Sequence, residues 1–130
     1  MKFDRLTPML CTNELKNTVE FYRDILGFEI DEFREDWNWC HIHRNGVNLM
    51  FTVPLADTTY RVTPSFTGSF YIYTEEVDAL WDDLKNKTNV SYEITNFAHN
   101  MREFGIYDNN GYLLQFGREL RVGEIISDCD

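Results

Sequence analysis

The sequence predicts an α+β protein built from two tandem βαβββ modules. Two segments have helical spacing of apolar residues, and the other patterned segments are typical of strands. One strand precedes each helix and three follow it, so the same order of elements occurs twice. Two Asn-Gly dipeptides, at positions 45 and 110, lie 65 residues apart, and each stands before an apolar run, as in β-hairpins. The 130 residues are enough for one domain.

The two helix patterns have recognisable starts. Thr12-Asn13 precedes the first and is expected to cap it, and Gly27 is expected to end it. The second begins at Thr74, and the two glutamates that follow complement the helix dipole. The apolar residues are Leu15, Val19, Tyr22 and Leu26 in the first helix and Val77, Leu80, Trp81 and Leu84 in the second. Each helix therefore has one apolar face, which we expect to pack on a sheet.

The remaining patterned segments are predicted strands. They are residues 5–11, 28–33, 37–43 and 47–53 in the first module, and 68–73, 90–97, 101–107 and 112–116 in the second. We expect one domain over residues 1–118, with modules at about residues 1–60 and 61–118, whose sheets form a curled mixed sheet around a groove. Residues 119–130 carry little pattern and form a predicted tail, either loose or an arm on a partner subunit.

The first Asn-Gly hairpin assigns residues to two faces. A two-residue turn pairs Ile42 with Leu49 and Cys40 with Phe51, which gives an apolar face suited to packing under a helix. The opposite face mixes aromatic, imidazole and polar groups, as small-molecule sites do. It consists of Trp39, His41, His43, Asn48, Met50 and Thr52.

The second hairpin allows two registers. A tight Asn-Gly turn puts Ile106 beside Gln115, whereas a longer loop that starts at Asp108 puts Gly105 beside Gln115. A slip of one residue exchanges the two faces, and the longer loop is preferred because it gives one apolar face. Glu103 then shares a face with Gly105. It either brings a carboxylate to the groove or forms a rim ion pair with a neighbouring arginine.

Composition excludes several classes of partner. The chain has 12 basic and 22 acidic residues, a net charge of −10, so it repels nucleic acids and anionic membrane surfaces. Its cysteines, Cys11, Cys40 and Cys129, are odd in number and lack a short Cys-x-x-Cys spacing, which fits a reducing cytoplasm. The sequence has no signal-peptide pattern, and no apolar run approaches the roughly 18 residues of a membrane span. We expect a cytoplasmic protein.

Two segments carry a family resemblance. Residues 7–10 lead to residues 20–28, which contain the pattern Phe-Tyr-x-x-x-Leu-Gly-Phe, and residues 102–116 contain Asp-Asn-Asn-Gly. They resemble the opening and closing segments of the glyoxalase/bleomycin-resistance/dioxygenase proteins, the vicinal oxygen chelate superfamily, whose closing segment usually has Asp-Pro-Asp-Gly. The resemblance covers roughly residues 5–118. It implies paired modules around a groove, usually in a homodimer.

The resemblance also bears on metal binding. Metal-dependent members place ligands at four points, two per module, and these points fall on Thr7, Met50, Ser69 and Gln115. Members that hold a metal have His, Glu or Gln there. Gln115 suits a divalent cation, but hydroxyls are weak ligands and a thioether suits soft metals. We therefore expect no metal and no other cofactor, which argues against the glyoxalase, fosfomycin-modifying and ring-cleaving mechanisms, since all need a metal.

The metal-independent bleomycin-resistance branch remains compatible with the chain. Its members sequester a bulky cationic aromatic antibiotic in grooves at the dimer interface. An acidic chain attracts cations, and strand aromatics offer faces for stacking and cation–π contacts. The expected ligand-binding residues are Trp37, Trp39, His41, His43, Met50, Tyr71, Tyr73, Glu103 and Gln115. No catalytic residue is predicted, and Trp37 and Trp39 are expected on one groove strand.

Two alternatives stay open. One is a metal-dependent glyoxalase-type lyase or dioxygenase with relocated ligands such as His41, His43 and Gln115, because histidines at i and i+2 share a strand face. His99, expected in a loop near the groove mouth, is a further candidate ligand. The other alternative is a binding or regulatory subunit that has no ligand of its own.

Overall fold

A computed structural model describes residues 1–54 and 63–127. The predicted module boundary at residue 60 and Cys129 lie outside these residues. The chain divides into two compact units, Met1–Ser65 and Phe66–Asp130. The first unit contains β1 (Met9–Cys11), α1 (Leu15–Asp24), β2 (Glu29–Arg34), one 3-10 turn (Glu35–Trp37), β3 (Trp39–Arg44) and β4 (Val47–Thr52). The second contains β5 (Phe70–Tyr73), α2 (Val77–Leu84), β6 (Asn89–Phe97), β7 (Met101–Tyr107) and β8 (Leu113–Glu119).

Both units have the same topology, which confirms the predicted α+β fold with tandem βαβββ modules. The strand order is β1-β4-β3-β2 in the first sheet and β5-β8-β7-β6 in the second. In each sheet the first strand pairs parallel with the last, and the other pairs are antiparallel. The crossover from the first strand passes through the helix, so each helix lies on one face of its own sheet.

The first hairpin has the predicted register. Ile42 lies opposite Leu49 and Cys40 opposite Phe51, and all four side chains are buried. Tyr22 of α1 packs on Phe51, with ring centroids 5.2 Å apart. The apolar face is therefore the one that α1 covers, and the mixed face lies on the other side of the sheet.

The second hairpin has the longer loop. Gly105 lies opposite Gln115, and residues 108–112 form the turn. The Asp108 carboxylate holds this turn, because it accepts the backbone N–H groups of Asn110 and Tyr112 at 2.8 and 2.9 Å. The residues on the α2 side, which include Phe104, Ile106, Leu114 and Phe116, are buried.

α1 begins at Leu15, the first apolar residue of its predicted pattern, but its N-cap is Glu14, and α2 begins at Val77, three residues after the predicted start. In each unit a threonine hydroxyl accepts the backbone N–H of a glutamate two residues on, Thr12 from Glu14 at 3.0 Å and Thr74 from Glu76 at 3.3 Å. The helix begins one residue after that glutamate. The Thr12-Asn13 cap and the start at Thr74 are therefore wrong. The threonines instead order the turn that leads into each helix, since a hydroxyl readily bonds a backbone group two residues away.

Several predicted strands are shorter than expected, and β1 and β3 differ in ways that bear on the predicted site. β1 contains only the last three of the predicted residues, so Thr7 lies outside it; Pro8, which precedes β1, has no N–H to donate to a ladder. β3 begins at Trp39 because residues 35–37 form the 3-10 turn, which ends on Asn38 at a φ of 51°. Trp37 therefore precedes the strand, and its predicted place on a groove strand is wrong.

The tail is attached to its own unit through Ser127. The buried Arg118 of β8 donates to both carboxylate oxygens of Glu124, at 2.7 and 2.9 Å. The Asn96 side-chain amide donates to the Ile125 carbonyl, and the Ser127 backbone N–H donates to the Asn96 carbonyl, both at 2.9 Å. These contacts fix the course of residues 120–127 along the second sheet.

Candidate functional site

The face of the second sheet opposite α2 carries a group of polar and aromatic side chains, most of which were predicted to bind a ligand. We call it the tyrosine face, and it contains Tyr71, Tyr73, Tyr92, Glu103 and Gln115. Strand alternation explains the placement. The partners of Tyr71 and Tyr73 on β8 are Gln115 and Gly117, so these residues share one face, while Phe70 and Ile72 point to the helix side.

Glu103 lies at the centre of the tyrosine face, and its side chain is only 4% exposed. The Tyr71 hydroxyl donates to Oε1 at 2.9 Å, and the Tyr92 hydroxyl donates to Oε2 in a short hydrogen bond. His99 Nε2 lies 2.6 Å from Oε1. A buried carboxylate is tolerated when it is hydrogen-bonded, and Glu103 has three such partners.

The expected alternative for Glu103, a rim ion pair with an arginine, is wrong. The nearest arginine in sequence, Arg102, points to the other face of the sheet and pairs with Asp78 of α2 at 2.6 Å. Alternation along β7 separates the two side chains. Glu103 is held by phenol and imidazole groups instead of a guanidinium.

The hydrogen-bond network extends to Ser69 and Gln115, two of the four positions that the family resemblance implies for metal ligands. Gln115 Nε2 donates to the Tyr92 hydroxyl at 2.9 Å, and the Ser69 hydroxyl donates to Gln115 Oε1 in a short hydrogen bond. A continuous chain therefore runs from Ser69 through Gln115 and Tyr92 to Glu103. The amide oxygen of Gln115 serves this chain as an acceptor.

The tyrosine hydroxyls are held in the protonated form. Burial raises the pKa of Tyr71 and of Tyr92, and the hydrogen bond that each donates to Glu103 raises it further. Ionising either phenol would place a second negative charge next to a buried carboxylate. Both groups therefore act as hydrogen-bond donors at neutral pH.

Two glycines allow the tyrosine rings to lie close to the sheet. A Cβ at Gly117 would lie 2.9 Å from Tyr71 Cζ and 2.9 Å from Glu103 Cβ, and one at Gly105 would lie 2.9 Å from Tyr92 Cδ1. The sequence prediction missed Tyr92 and both glycines. Glycine in the middle of a strand marks a close approach, and that signal was available for Gly105, whereas Gly117 lies one residue beyond the predicted end of its strand.

The mixed face of the first sheet contains the other predicted residues. His41 Nε2 lies 2.9 Å from Asn48 Oδ1, and His43 Nδ1 lies 2.8 Å from Asp31 Oδ2. His43 Nε2 also lies 3.1 Å from a Glu29 carboxylate oxygen. The hydrogen bond to Asp31, and then the charges of both carboxylates, raise the pKa of His43. Met50 is half-buried on the same face.

Trp37 ends the 3-10 turn that precedes β3, and Trp39 is the first residue of β3. Their rings are 6.2 Å apart between centroids, and Trp37 is 54% exposed. The Arg34 guanidinium carbon lies 4.0 Å from the centroid of the Trp37 ring. This is a cation–π contact, so one face of Trp37 already holds a planar cation.

The residues at the four positions that the resemblance implies for metal ligands do not fit a divalent metal. Thr7 lies outside β1, Met50 offers a thioether, and the Ser69 hydroxyl and the Gln115 amide bond each other. Over residues 1–54 and 63–127, no group of three or more His, Cys, Asp or Glu side chains is placed to hold a metal ion. The relocated set of His41, His43 and Gln115 has its histidines bonded to Asn48 and to Asp31.

A pocket of about 290 Å³ lies elsewhere, between α1 and β2. Its lining contains none of the predicted site residues and consists of Lys16, Val19, Glu20, Arg23, Ile30, Phe33 and Glu35. The two basic and two acidic side chains balance, so the pocket favours neither charge.

The family follows from comparison with known proteins. The model of the Glyoxalase/Bleomycin resistance protein/Dioxygenase superfamily matches residues 2–116, and the chain belongs to this superfamily. The predicted resemblance is therefore confirmed. A search of curated protein sequences finds no match. Among the described residues, the helices are too short or too polar to cross a membrane.

Solved structures show the same fold at low sequence identity. TioX from Micromonospora sp. ML1 is 14% identical, with a TM-score of 0.72 over 91% of this chain and 100% of that one. The bleomycin-binding protein of bleomycin-producing Streptomyces verticillus, complexed with copper(II)-bleomycin, is 21% identical, with a TM-score of 0.67 over 89% and 96%. Lactoylglutathione lyase from Agrobacterium tumefaciens is 18% identical, with a TM-score of 0.69 over 88% and 92%.

Proposed function

We propose that this chain is a metal-independent binding protein for a small molecule that is aromatic, cationic or both. The observation that carries the proposal is the tyrosine face, where a buried carboxylate, Glu103, lies beneath tyrosine rings. Tyr73 is 75% exposed and stands next to Tyr71, with ring centroids 5.1 Å apart. A carboxylate attracts a cation, and exposed aromatic faces suit both cations and planar rings.

Three further observations support this ligand class. In the first unit, the Arg34 guanidinium already lies on the Trp37 ring, as a cationic ligand would. The net charge of −10 attracts cationic ligands to the protein as a whole. A relative of the same fold was solved with copper(II)-bleomycin. The proposed ligand-binding residues are Trp37, Trp39, His41, His43, Met50, Tyr71, Tyr73, Glu103 and Gln115. We also propose that the protein is cytoplasmic and that it forms a homodimer. Sedimentation tests the homodimer.

The proposal is tested by fluorescence titration with copper-free bleomycin in the presence of a chelator. We expect saturable quenching of tryptophan fluorescence, since Trp37 and Trp39 lie among the proposed binding residues. No quenching at micromolar ligand would contradict a bleomycin-type ligand. Stoichiometric metal in protein purified without chelator, lost together with its histidines, would overturn metal independence and favour the lyase or dioxygenase alternative.

Trp39→Ala is the variant that localises the ligand. We expect affinity for an aromatic cation to fall about two- to thirtyfold, the loss of one cation–π contact, with little change in melting temperature. The matched control is Trp81→Ala, because Trp81 of α2 packs on Phe104 with centroids 5.1 Å apart. That substitution should lower the melting temperature and leave the affinity of the folded protein unchanged. A large fall in melting temperature for Trp39→Ala would assign Trp39 to the core.

A further inference from the structure

The three partners of Glu103 differ in how firmly they are fixed. Tyr71 and Tyr92 are half-buried on β5 and β6, and their rings lie over glycines of the neighbouring strands. His99 instead belongs to the turn between β6 and β7, and its side chain is 58% exposed. Of the three, His99 is therefore the partner that leaves Glu103 at the lowest cost in packing.

The turn that carries His99 does not depend on the imidazole. The Asn100 N–H donates to the Phe97 carbonyl at 3.0 Å, and Asn100 takes a φ of 70°. The imidazole stacks on Phe97, with centroids 5.5 Å apart and planes at 17°. A rotation of the His99 side chain alone would uncover Glu103 and the Phe97 ring together, while the backbone hydrogen bond of the turn stays in place.

The charges around Glu103 favour a cation in that place. The two arginines of the central strands face the other side of the sheet, where Arg102 pairs with Asp78 and Arg118 with Glu124. Glu103 thus has no share in those ion pairs. When the imidazole moves away, a carboxylate held by two phenol donors faces the ligand, and a charge-assisted hydrogen bond from a cation replaces the lost partner.

We infer that the tyrosine face binds an organic cation whose amidinium, guanidinium or ammonium group displaces His99 from Glu103. The aromatic part of the ligand then contacts the Phe97 ring that His99 leaves and the exposed Tyr73. His99 thus competes with the ligand for Glu103, because it covers the buried carboxylate when no ligand is bound. The inference rests on the proposed function and names the anchor for the ligand's charge.

The test compares benzamidine with benzamide, which have almost the same shape but differ in charge. Wild-type protein should bind benzamidine with a dissociation constant of about 1 mM, a normal value for so small a ligand, and benzamide at least tenfold more weakly. NMR shifts of the His99 side-chain nitrogens should change as benzamidine saturates, because Nε2 loses its carboxylate partner. Equal affinity for the two compounds, or no response of His99, would overturn the inference.

Two variants give opposite expected effects. Glu103→Gln keeps the size of the side chain but removes its charge, so benzamidine affinity should fall at least tenfold. His99→Ala removes the competitor, so benzamidine affinity should rise threefold or more. Unchanged affinity in His99→Ala would also overturn the inference. This variant changes an exposed turn residue, so it remains informative if Glu103→Gln does not fold.

The outcomes separate this inference from the proposed function. One outcome is that benzamidine and copper-free bleomycin both bind, and that each has the same affinity for wild type as for Glu103→Gln. The protein is then an aromatic-cation binder whose anchor lies elsewhere, and only the inference fails. If neither compound binds wild type, the proposed ligand class fails as well.

Discussion

At the scale of single residues, Gly105 and Gly117 determine how the tyrosine face is built. Glycine within a strand costs about 0.5–1 kcal/mol relative to alanine. The rings of Tyr92 and Tyr71 occupy the space that a side chain would need at these positions. The close approach brings both hydroxyls to one carboxylate, Glu103. The two glycines therefore do not stabilise their strands. They make room for the hydrogen bonds from the two tyrosines to Glu103.

Gly117→Ala tests this role. Because a Cβ would meet Tyr71 Cζ and Glu103 Cβ at 2.9 Å, we expect a loss of about 1–3 kcal/mol in the free energy of unfolding, measured with urea. In a Tyr71→Ala background the cost should be smaller, since the ring atoms are gone. Gly46→Ala is the control, because its Cβ meets no atom within 4 Å, and it should change stability by less than about 0.5 kcal/mol. Equal costs at both glycines would contradict this view.

His43 gives the chain a pH-dependent contribution to stability. The hydrogen bond to Asp31 and the two nearby carboxylates raise its pKa above the usual 6.5. The contribution is therefore complete below pH 6.5 and is lost as the pH rises through the higher value in the folded state. The melting temperature of wild type should exceed that of His43→Asn most at about pH 5, and the difference should shrink by about pH 9. The difference should be smaller in an Asp31→Asn background, where only Glu29 remains near His43, and a difference that grows with pH would refute the assignment.

Sequence reasoning found part of the site residue by residue. Alternation placed Tyr71, Glu103 and Gln115 on one face, and the longer loop at Asp108 was preferred for its apolar face. Their convergence was missed because β6 has register shifts on both sides of Tyr92, so counting along the strand does not give its face. The contact between His99 and Glu103 depends on a turn conformation that no spacing rule supplies.

At the scale of elements, the two hairpins show what local signals determine. Both contain Asn-Gly, yet the first has a two-residue turn and the second a longer one. The difference comes from Asp108, whose carboxylate accepts two backbone N–H groups and holds the wider loop. The criterion that a hairpin must have one apolar face therefore predicts the strand register better than the Asn-Gly dipeptide does. The cap of α1 and the start of α2 were predicted too early in the chain because a threonine preceding a turn resembles a cap.

The tail is attached partly through one carboxylate, that of Glu124, which accepts hydrogen bonds from Arg118. The hydrogen bonds from Arg118, then the Arg121 backbone N–H, lower the pKa of Glu124 from 4.5 to about 2. Its contribution to stability is complete above pH 4.5 and is lost as the pH falls toward 2. Wild type should melt above Glu124→Gln at about pH 6, with a smaller difference at about pH 3. Glu93→Gln, on an exposed position of β6, should melt like wild type at both pH values, and an equal effect of both variants would exclude the Arg118 pair as the cause.

At the scale of the whole molecule, the net charge of −10 predicts how salt acts on binding. Long-range attraction of a cation is screened by salt, whereas stacking is not. Affinity for benzamidine should therefore weaken roughly threefold or more between about 20 and about 500 mM NaCl, and affinity for benzamide should stay constant. Calorimetry at the two salt concentrations measures both. Equal responses of the two ligands would show that the acidity has no part in binding.

The duplicated order of elements explains why the fold of both modules was predictable from the sequence. A strand, a helix and three further strands occur twice, and the two sheets have matching strand orders and matching threonine-glutamate turns before their helices. Because the same pattern occurs twice, a segment that is hard to assign in one module can be compared with the matching segment of the other. An error in predicting the bounds of one segment therefore does not change the predicted fold. Ligand identity has no such redundancy, because it depends on a few side chains such as Glu103 and His99.

The outer strand β2 has a consequence for assembly. It is the last strand of its sheet, its residues from Glu29 to Phe33 are exposed, and four of its six side chains are charged. An exposed strand edge is a template onto which another chain adds by backbone hydrogen bonding, and charged side chains oppose that addition. Three of the four charges are negative, so two copies of β2 repel each other. The acidity of this strand thus protects the folded protein against open-ended, amyloid-like stacking.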